Sequence, residues 1–377
     1  MKWNPARILV VLIVLLLWIG IVMLASTSVV KGSASKDDSS YFIKRQLVWL
    51  MVALAVGVAA SNVKVDFWRQ HAFFLLGFAV LLLVSVLLFG RTINGSKRWL
   101  VLAGVLRFQP SEFAKFAIVT ALANWMSHVG SMSSRFREGL LIPGAAIGLV
   151  AALIIAEPDF GTCMLVGAVG MLVMFMGGTR LRYLVVTGVA AFLSIALLIL
   201  HNPVRANRIW AFLNREENPE GAYQLVQSIN SLVLGGTTGV GYGNSLQKYH
   251  YLPEAHTDFI LAIIGEELGA MTIGIVILYA GILMCGTKIS MGCRDPFGRL
   301  LGMGITAMIT MQAAINVGVV TGCLPTKGLP LPLISYGGTS LVMTMLSLGV
   351  LLSIARFSGD TRKPATVPIV KNRAHSV

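Results

Sequence analysis

Charge is what this sequence has least of. Only 12% of its 377 residues are charged, 16 acidic against 30 basic, while 56% are hydrophobic. A soluble domain carries about a quarter charged residues, so a water-exposed globule is excluded. Cysteine is also sparse. Cys163, Cys285, Cys293 and Cys323 show no Cys-x-x-Cys spacing and no neighbouring His, which argues against a zinc site or redox pair and leaves them as small packing residues. No Gly-Lys-Ser/Thr of a P-loop is present, nor an internal repeat or low-complexity tract. No small-x-small cleavage site follows the first apolar run, so Lys2 and Arg7 lead into an uncleaved helix rather than a removed signal peptide.

What is present is long apolar sequence. Runs of roughly spanning length lie near 8–28, 44–61, 71–90, 112–128, 138–156, 162–177, 182–201, 258–285, 299–322 and 335–356. They predict an all-α polytopic membrane protein of about ten transmembrane helices, with residues 1–356 as one domain and 357–377 as a short, disordered cytoplasmic tail. A long extracytoplasmic loop, about 202–257, is expected between helices seven and eight. The net charge of +14 would suggest nucleic acid for a soluble protein. Here the basic residues fall in short connections, so topology and anionic headgroups account for them and no nucleic-acid partner is expected. An even number of spans puts both termini on one side. The density of Lys and Arg in short loops makes that side cytoplasmic.

Four polar clusters then lie on the outer side, where polar groups near a membrane mark function. In the first, Arg98 precedes a helix start at Pro110, where Ser111 can cap and Glu112 and Lys115 share a face. Glu112 and Lys115 form either a structural ion pair or, with Arg98, part of a headgroup site. The second is the acidic turn Glu157-Pro158-Asp159, in which Asp159 can cap the helix beginning near Thr162. The third is the long loop. Arg205 and Arg208 can meet a diphosphate, and the glycine-rich run 239–245 can cradle a phosphate with backbone amides. Lys248 and the dense group Glu254, His256, Thr257 and Asp258 close that loop. Thr257 or Asp258 is either a helix cap or, for Asp258, a carboxylate that takes a proton or binds a metal. Glu266 and Glu267, roughly 12 Å deeper, point away from Asp258 and are expected to pair with other helices. In the fourth cluster, Cys323 to Ser340, three prolines in eight residues forbid a regular helix and set Lys327 at a cavity.

The chain resembles the SEDS family (the FtsW/RodA/SpoVE group) in Phe108–Lys115, Pro158–Thr162, Tyr223–Ser228, Gly241–Ser245, Tyr251–Phe259, Gly265–Gly269 and Leu324–Ser340. Pro325-Thr326-Lys327-Gly328 is closer to FtsW and SpoVE than to RodA. The departures are small: Thr339 for the usual Ser, Leu261 for Phe, and Glu216-Glu217-Asn218-Pro219 at a turn. The resemblance implies a ten-helix fold and a peptidoglycan glycosyltransferase that polymerises lipid II during cell division in the bacterial inner membrane, releasing undecaprenyl diphosphate. It puts the essential aspartate at Asp258, acting as general base directly or through a divalent cation, magnesium or manganese. It maps other sensitive positions onto Arg98, Glu112, Lys115, Asp159, Lys327 and Ser335. The expected substrate-binding set adds Arg205, Arg208, Lys248, Glu254 and His256. Implied partners are lipid II with the growing glycan strand, a class B penicillin-binding protein and other divisome membrane proteins at the septum. Two rivals are a lipid II flippase and a non-catalytic divisome scaffold. A flippase needs polar groups through the membrane's depth, and a scaffold needs no carboxylate at a cavity mouth.

Overall fold

The computed structural model describes residues 4–36, 40–93, 96–102, 106–201, 203–249 and 251–357. Every one of the ten apolar runs is helical, as backbone in lipid must be when its hydrogen bonds have to close within one segment. The helices are α1 (Pro5–Lys36), α2 (Tyr41–Asn62), α3 (Val65–Phe89), α4 (Pro110–Val129), α5 (Ile142–Ala156), α6 (Phe160–Met176) and α7 (Leu181–Leu200). They continue with α8 (Pro203–Leu213), α9 (Pro219–Gly235), α10 (Ile260–Leu268), α11 (Thr272–Gly292), α12 (Pro296–Val320) and α13 (Gly338–Phe357).

Among the described residues, eight helical segments are long and apolar enough to cross a membrane, with Ile260–Gly292 counting as one. The two runs outside that set have physical reasons. α6 is only 17 residues long. α4 carries Glu112, Lys115 and Asn124, but 16 of its 20 residues are buried, because α3, α5, α6, α12 and α13 pack around it. A helix enclosed by protein does not need a lipid-facing surface. α7 is the opposite case, with Phe192, Leu193, Leu197 and Leu200 all exposed on an apolar surface.

Three segments differ from the sequence reading. The region 91–111 holds a small antiparallel meander, β1 (Arg91–Ile93), β2 (Ser96–Leu102) and β3 (Leu106–Phe108), in the order β1-β2-β3. The long loop contains two helices, α8 and α9. Asn218 caps α9 by accepting a bond from Gly221 N at 3.0 Å, and Pro219 holds the first turn. The eighth run is broken at Gly269, whose φ of +58° suits glycine. A Cβ there would stand 2.4 Å from Gly239 N. Two glycines thus let the 237–241 segment lie directly on the end of α10. The tail at 358–377 lies outside the described residues.

The connections gather at two ends of the bundle. At one, Arg69 pairs with Asp295 at 2.5 Å, and Arg356 bonds Asn62 Oδ1 at 2.5 Å. At the other, β2 meets the α5–α6 turn, Arg107 O accepts from Thr339 Oγ1 at 3.1 Å, and the 251–259 turn lies on the 325–336 segment. All four polar clusters therefore share one end.

Candidate functional site

The α5–α6 turn is fixed from both sides. Asp159 is the N-cap of α6, accepting from Thr162 N at 3.2 Å and Thr162 Oγ1 at 2.9 Å, so the capping reading holds, with the helix starting two residues earlier than expected. Gln109 Nε2 and Ser111 Oγ add donors at 3.3 and 3.5 Å. Ser111 does not cap α4; Gln109 occupies that position without a side-chain bond to the helix's own amides, and Pro110 begins the helix. From β2, Arg98 donates through Nε to Glu157 O at 3.2 Å and through Nη2 to Pro158 O, and its Nη1 lies 3.9 Å from Asp159 Oδ1. One guanidinium thus holds the turn while keeping a face on the cavity beside it.

That cavity has a volume of about 280 Å³. Its polar wall is Arg98, Asp159, Arg208 and Lys327; its apolar wall includes Met164, Phe192, Ile195 and Ile199. Lys327 Nζ sits 4.1 Å over the Phe160 ring and 2.6 Å from Met164 Sδ. A slot with three cations at one side and aliphatic surface at the other suits an anion carried on a lipid.

Asp258 is not itself a lining residue of this slot; it stands directly behind the lining residue Gly328, which makes room for it. A Cβ on Gly328 would come within 2.8 Å of Asp258 Oδ2. The carboxylate is not a helix cap: α10 begins at Ile260, and its N-cap Phe259 makes no side-chain bond. Neither Thr257 nor Asp258 fills the capping role. Burial pushes the Asp258 carboxyl up to about 7, assisted by the charges of Glu254 and Asp159 and opposed by Arg98. Asp258 therefore changes protonation near neutral pH, as a general base should. Replacing Gly328 with Ala is expected to displace this carboxylate and slow the reaction roughly 10²-fold, the usual cost of about 1 Å of misplacement. Rates in the assay described below test this; an unchanged rate contradicts it.

The backbone of the turn is pinned at three successive carbonyls. Tyr336 N donates to His256 O at 3.1 Å, Ser335 Oγ to Thr257 O at 2.6 Å, and Asn316 Nδ2 to Asp258 O at 2.7 Å. Ser335 Oγ also accepts from Leu331 N at 2.8 Å, so both its bonds are structural and it does not line the cavity. Glu254 accepts from Thr257 Oγ1 at 2.8 Å, inside the turn.

Several expected site residues lie elsewhere. His256 is buried against Phe42 and Tyr336, with ring centroids at 5.3 and 5.8 Å, and does not line the cavity. Lys248 is buried, bonding Glu267 Oε1 at 3.0 Å, Ser26 Oγ at 3.0 Å and Gly243 O. Glu266 accepts from Ser245 Oγ, Leu246 N and Gln247 N rather than from another helix, whereas Glu267 also takes a bond from Ser26 of α1. The glycine-rich amides are occupied too: Val240 N and Gly241 N bond Glu266 O and Glu267 O at 2.9 and 3.1 Å. These two satisfy the carbonyls left open at the end of α10 and are not available to a phosphate. Glu112 and Lys115 pair at 2.9 Å, buried behind Asp159, and Lys115 Nζ donates to Gln312 Oε1 at 2.7 Å. Arg205 lies in α8, and its side chain is outside the described residues. Asn316, Gln312 and Gly328 were not legible as site residues. A single amide in an apolar helix looks like packing until its partners are seen.

Glu157 is the odd member of the turn. It is 0% exposed, and neither carboxyl oxygen has a hydrogen-bond partner. Burial, with the Asp159 charge, pushes it up to about 8 against the pull of Arg98. A carboxyl raised in the folded state stabilises that state fully below its unfolded value. The contribution is lost as pH rises toward 8. Glu157→Gln is therefore expected to raise the unfolding temperature, by an increment that grows between pH 5 and pH 8 and then levels off. Thermal unfolding across that range checks it; a pH-independent increment contradicts it.

Comparison with known proteins fits this geometry. The family model described as cell cycle protein, FtsW/RodA/SpoVE, matches residues 6–360. A probable peptidoglycan glycosyltransferase FtsW of Trichlorobacter lovleyi is 37% identical over 92% of both chains. The stage V sporulation protein E of Bacillus subtilis is 38% identical over 95% of this chain and 98% of its own. A chain from a solved peptidoglycan synthase complex, reported as coordinating polymerisation and crosslinking, superposes with a TM-score of 0.78 at 29% identity, over 93% of this chain and 97% of that one. The Thermus thermophilus rod shape determining protein RodA gives 0.68 at 28% identity, over 93% and 96%. With its apolar helices, its pinned aspartate turn and a family match running from the first helix to the last, this chain belongs to the FtsW/RodA/SpoVE family.

Proposed function

We propose that this chain is a peptidoglycan glycosyltransferase that joins lipid II into β-1,4-linked glycan strands. The observation that carries the reading is Asp258, held against Gly328 at a cavity walled by Arg98, Arg208 and Lys327. Asp258 takes the proton of the acceptor's 4-hydroxyl as that oxygen attacks the donor's muramic C1 with inversion. The cations stabilise the departing diphosphate as its charge develops. The aliphatic wall of Phe192, Ile195 and Ile199 suits the prenyl chain.

Among the described residues no group of three or more His, Cys, Asp or Glu is placed to hold a metal ion. Asp258 alone fits magnesium or manganese in the mode that uses one or two carboxylates plus substrate phosphates. A cation held there would lower the pKa of the acceptor hydroxyl.

The charge density of the short loops supports cytoplasmic termini, which puts the site on the outer face of the inner membrane. The relatives named FtsW support a septal role. The solved synthase complex, which coordinates polymerisation with crosslinking, supports a crosslinking partner; we propose that this partner is a class B penicillin-binding protein, within a set of divisome proteins. The test is lipid II incubated in detergent with this chain and its partner, the transpeptidase blocked. Glycan strands mean polymerase, because flipping is undefined in detergent. Absence of strands with intact partner binding supports the scaffold, and transport in vesicles without strands supports the flippase.

A further inference from the structure

Asn316 has no role in the function just described, yet among the described residues its side chain joins the Asp258 carbonyl itself to the backbone beside Gly328. It sits on α12, 2% exposed, one turn before the helix ends. Its Nδ2 donates to Asp258 O at 2.7 Å and to Leu329 O at 2.8 Å, so one amide group bridges two segments far apart in the chain. Leu329 follows Gly328, the residue whose missing Cβ makes space for Asp258 Oδ2. One turn earlier on the same face, Gln312 Nε2 donates to Pro330 O at 2.8 Å, which fixes the same wall from beneath. The Asn316 amide oxygen has no hydrogen-bond partner. A buried, unpaired acceptor is destabilising, which offsets much of what the two donated bonds contribute. An amide at this position therefore adds little net stability; what it adds is register between the Asp258 carbonyl and the Gly328–Leu329 backbone.

We infer that Asn316 is a positioning residue for the transfer reaction, setting the Asp258 carboxylate against Gly328 by holding both backbones with one amide. The inference rests on the reading of Asp258 as the base. Ser335 and Tyr336 hold the two preceding carbonyls from their own segment. Asn316 alone couples the third carbonyl to the wall at Leu329. Without it the turn stays attached, but the carboxylate is free to leave its desolvated seat.

The test uses the full chain with its partner in detergent. Asn316→Leu, which keeps volume and removes the donor, is expected to lower kcat on the order of 10–10²-fold with KM for lipid II unchanged. It is also expected to move the ascending limb of the pH profile to lower pH, as the carboxyl regains water. Carbodiimide labelling of Asp258, read by mass spectrometry, is expected to rise several-fold. Asn316→Ser, which keeps one shorter donor, is expected to fall between, and replaces the Leu variant if that one does not fold. An unchanged kcat overturns the inference, as does a fall in kcat with the pH limb and labelling unmoved. Wild-type protein that makes no strands overturns the polymerase reading instead, and the labelling still decides whether Asn316 seats Asp258.

Discussion

Asp258→Asn is expected to remove polymerisation almost completely while leaving the protein folded and inserted. The substitution keeps the shape of the side chain and the backbone bonds from Asn316, Ser335 and Tyr336, and takes away only the capacity to accept a proton. Loss of a general base costs on the order of 10²–10⁴-fold, and among the described residues the neighbouring carboxylates are held by other partners, Glu254 by Thr257 within the turn. Asp159 is engaged by Thr162, Gln109, Ser111 and the nearby Arg98, and Glu157 lies buried behind the turn. The same substitution relieves a burial penalty. At pH 8 the variant is expected to unfold at a higher temperature than wild type. The gap narrows as pH falls through about 7 and closes only below the unfolded value of 3.8, where the carboxyl is neutral in both folded and unfolded chains. An inactive variant that is also less stable at pH 8 would point to damage rather than chemistry.

Lys115→Met is expected to destabilise the protein by roughly 3–5 kcal/mol, the cost of leaving one member of a buried ion pair alone. Glu112 and Lys115 are 3% and 4% exposed at the side chain, and Lys115 also supplies the bond to Gln312. Removing both charges together, as Glu112→Gln with Lys115→Met, is expected to restore most of the loss, because the Coulombic gain and the desolvation penalty of a buried pair nearly cancel. Thermal unfolding in detergent measures both variants. If Lys115 bound the diphosphate directly, its substitution would instead lower activity in fully folded protein and the double variant would not recover it. The effect on catalysis is expected to be indirect, through Gln312 and the Pro330 carbonyl it holds.

The helices were legible because a spanning segment needs a long apolar run and lipid tolerates no other backbone. The exceptions follow the same physics. α8 and α9 are short and amphipathic, so a search for spanning runs passes over them, although Pro203, Asn218 and Pro219 carry start signals. The β1–β2 meander had its own signal in Asn94-Gly95, a hairpin dipeptide. In the site, sequence nearness misled. Lys248 and His256 lie close to Asp258 along the chain but pack into other neighbours, since a turn directs successive side chains apart. Lys327 and Arg98, distant in sequence, line the same cavity. Asn316 was invisible for a different reason: its importance lies in which carbonyls it reaches, and a helix pattern carries no record of those.

The most direct measurement is the rate of glycan-strand formation by wild-type protein from pH 5 to pH 9, at lipid II well below KM so that it reports the free protein's ionisation. A base seated where Asp258 is, half ionised at about 7, predicts a rate that rises with a single ionisation centred there. A rate already maximal at pH 5, or the same rising curve from Asp258→Asn, would contradict the assignment of that carboxylate as the base.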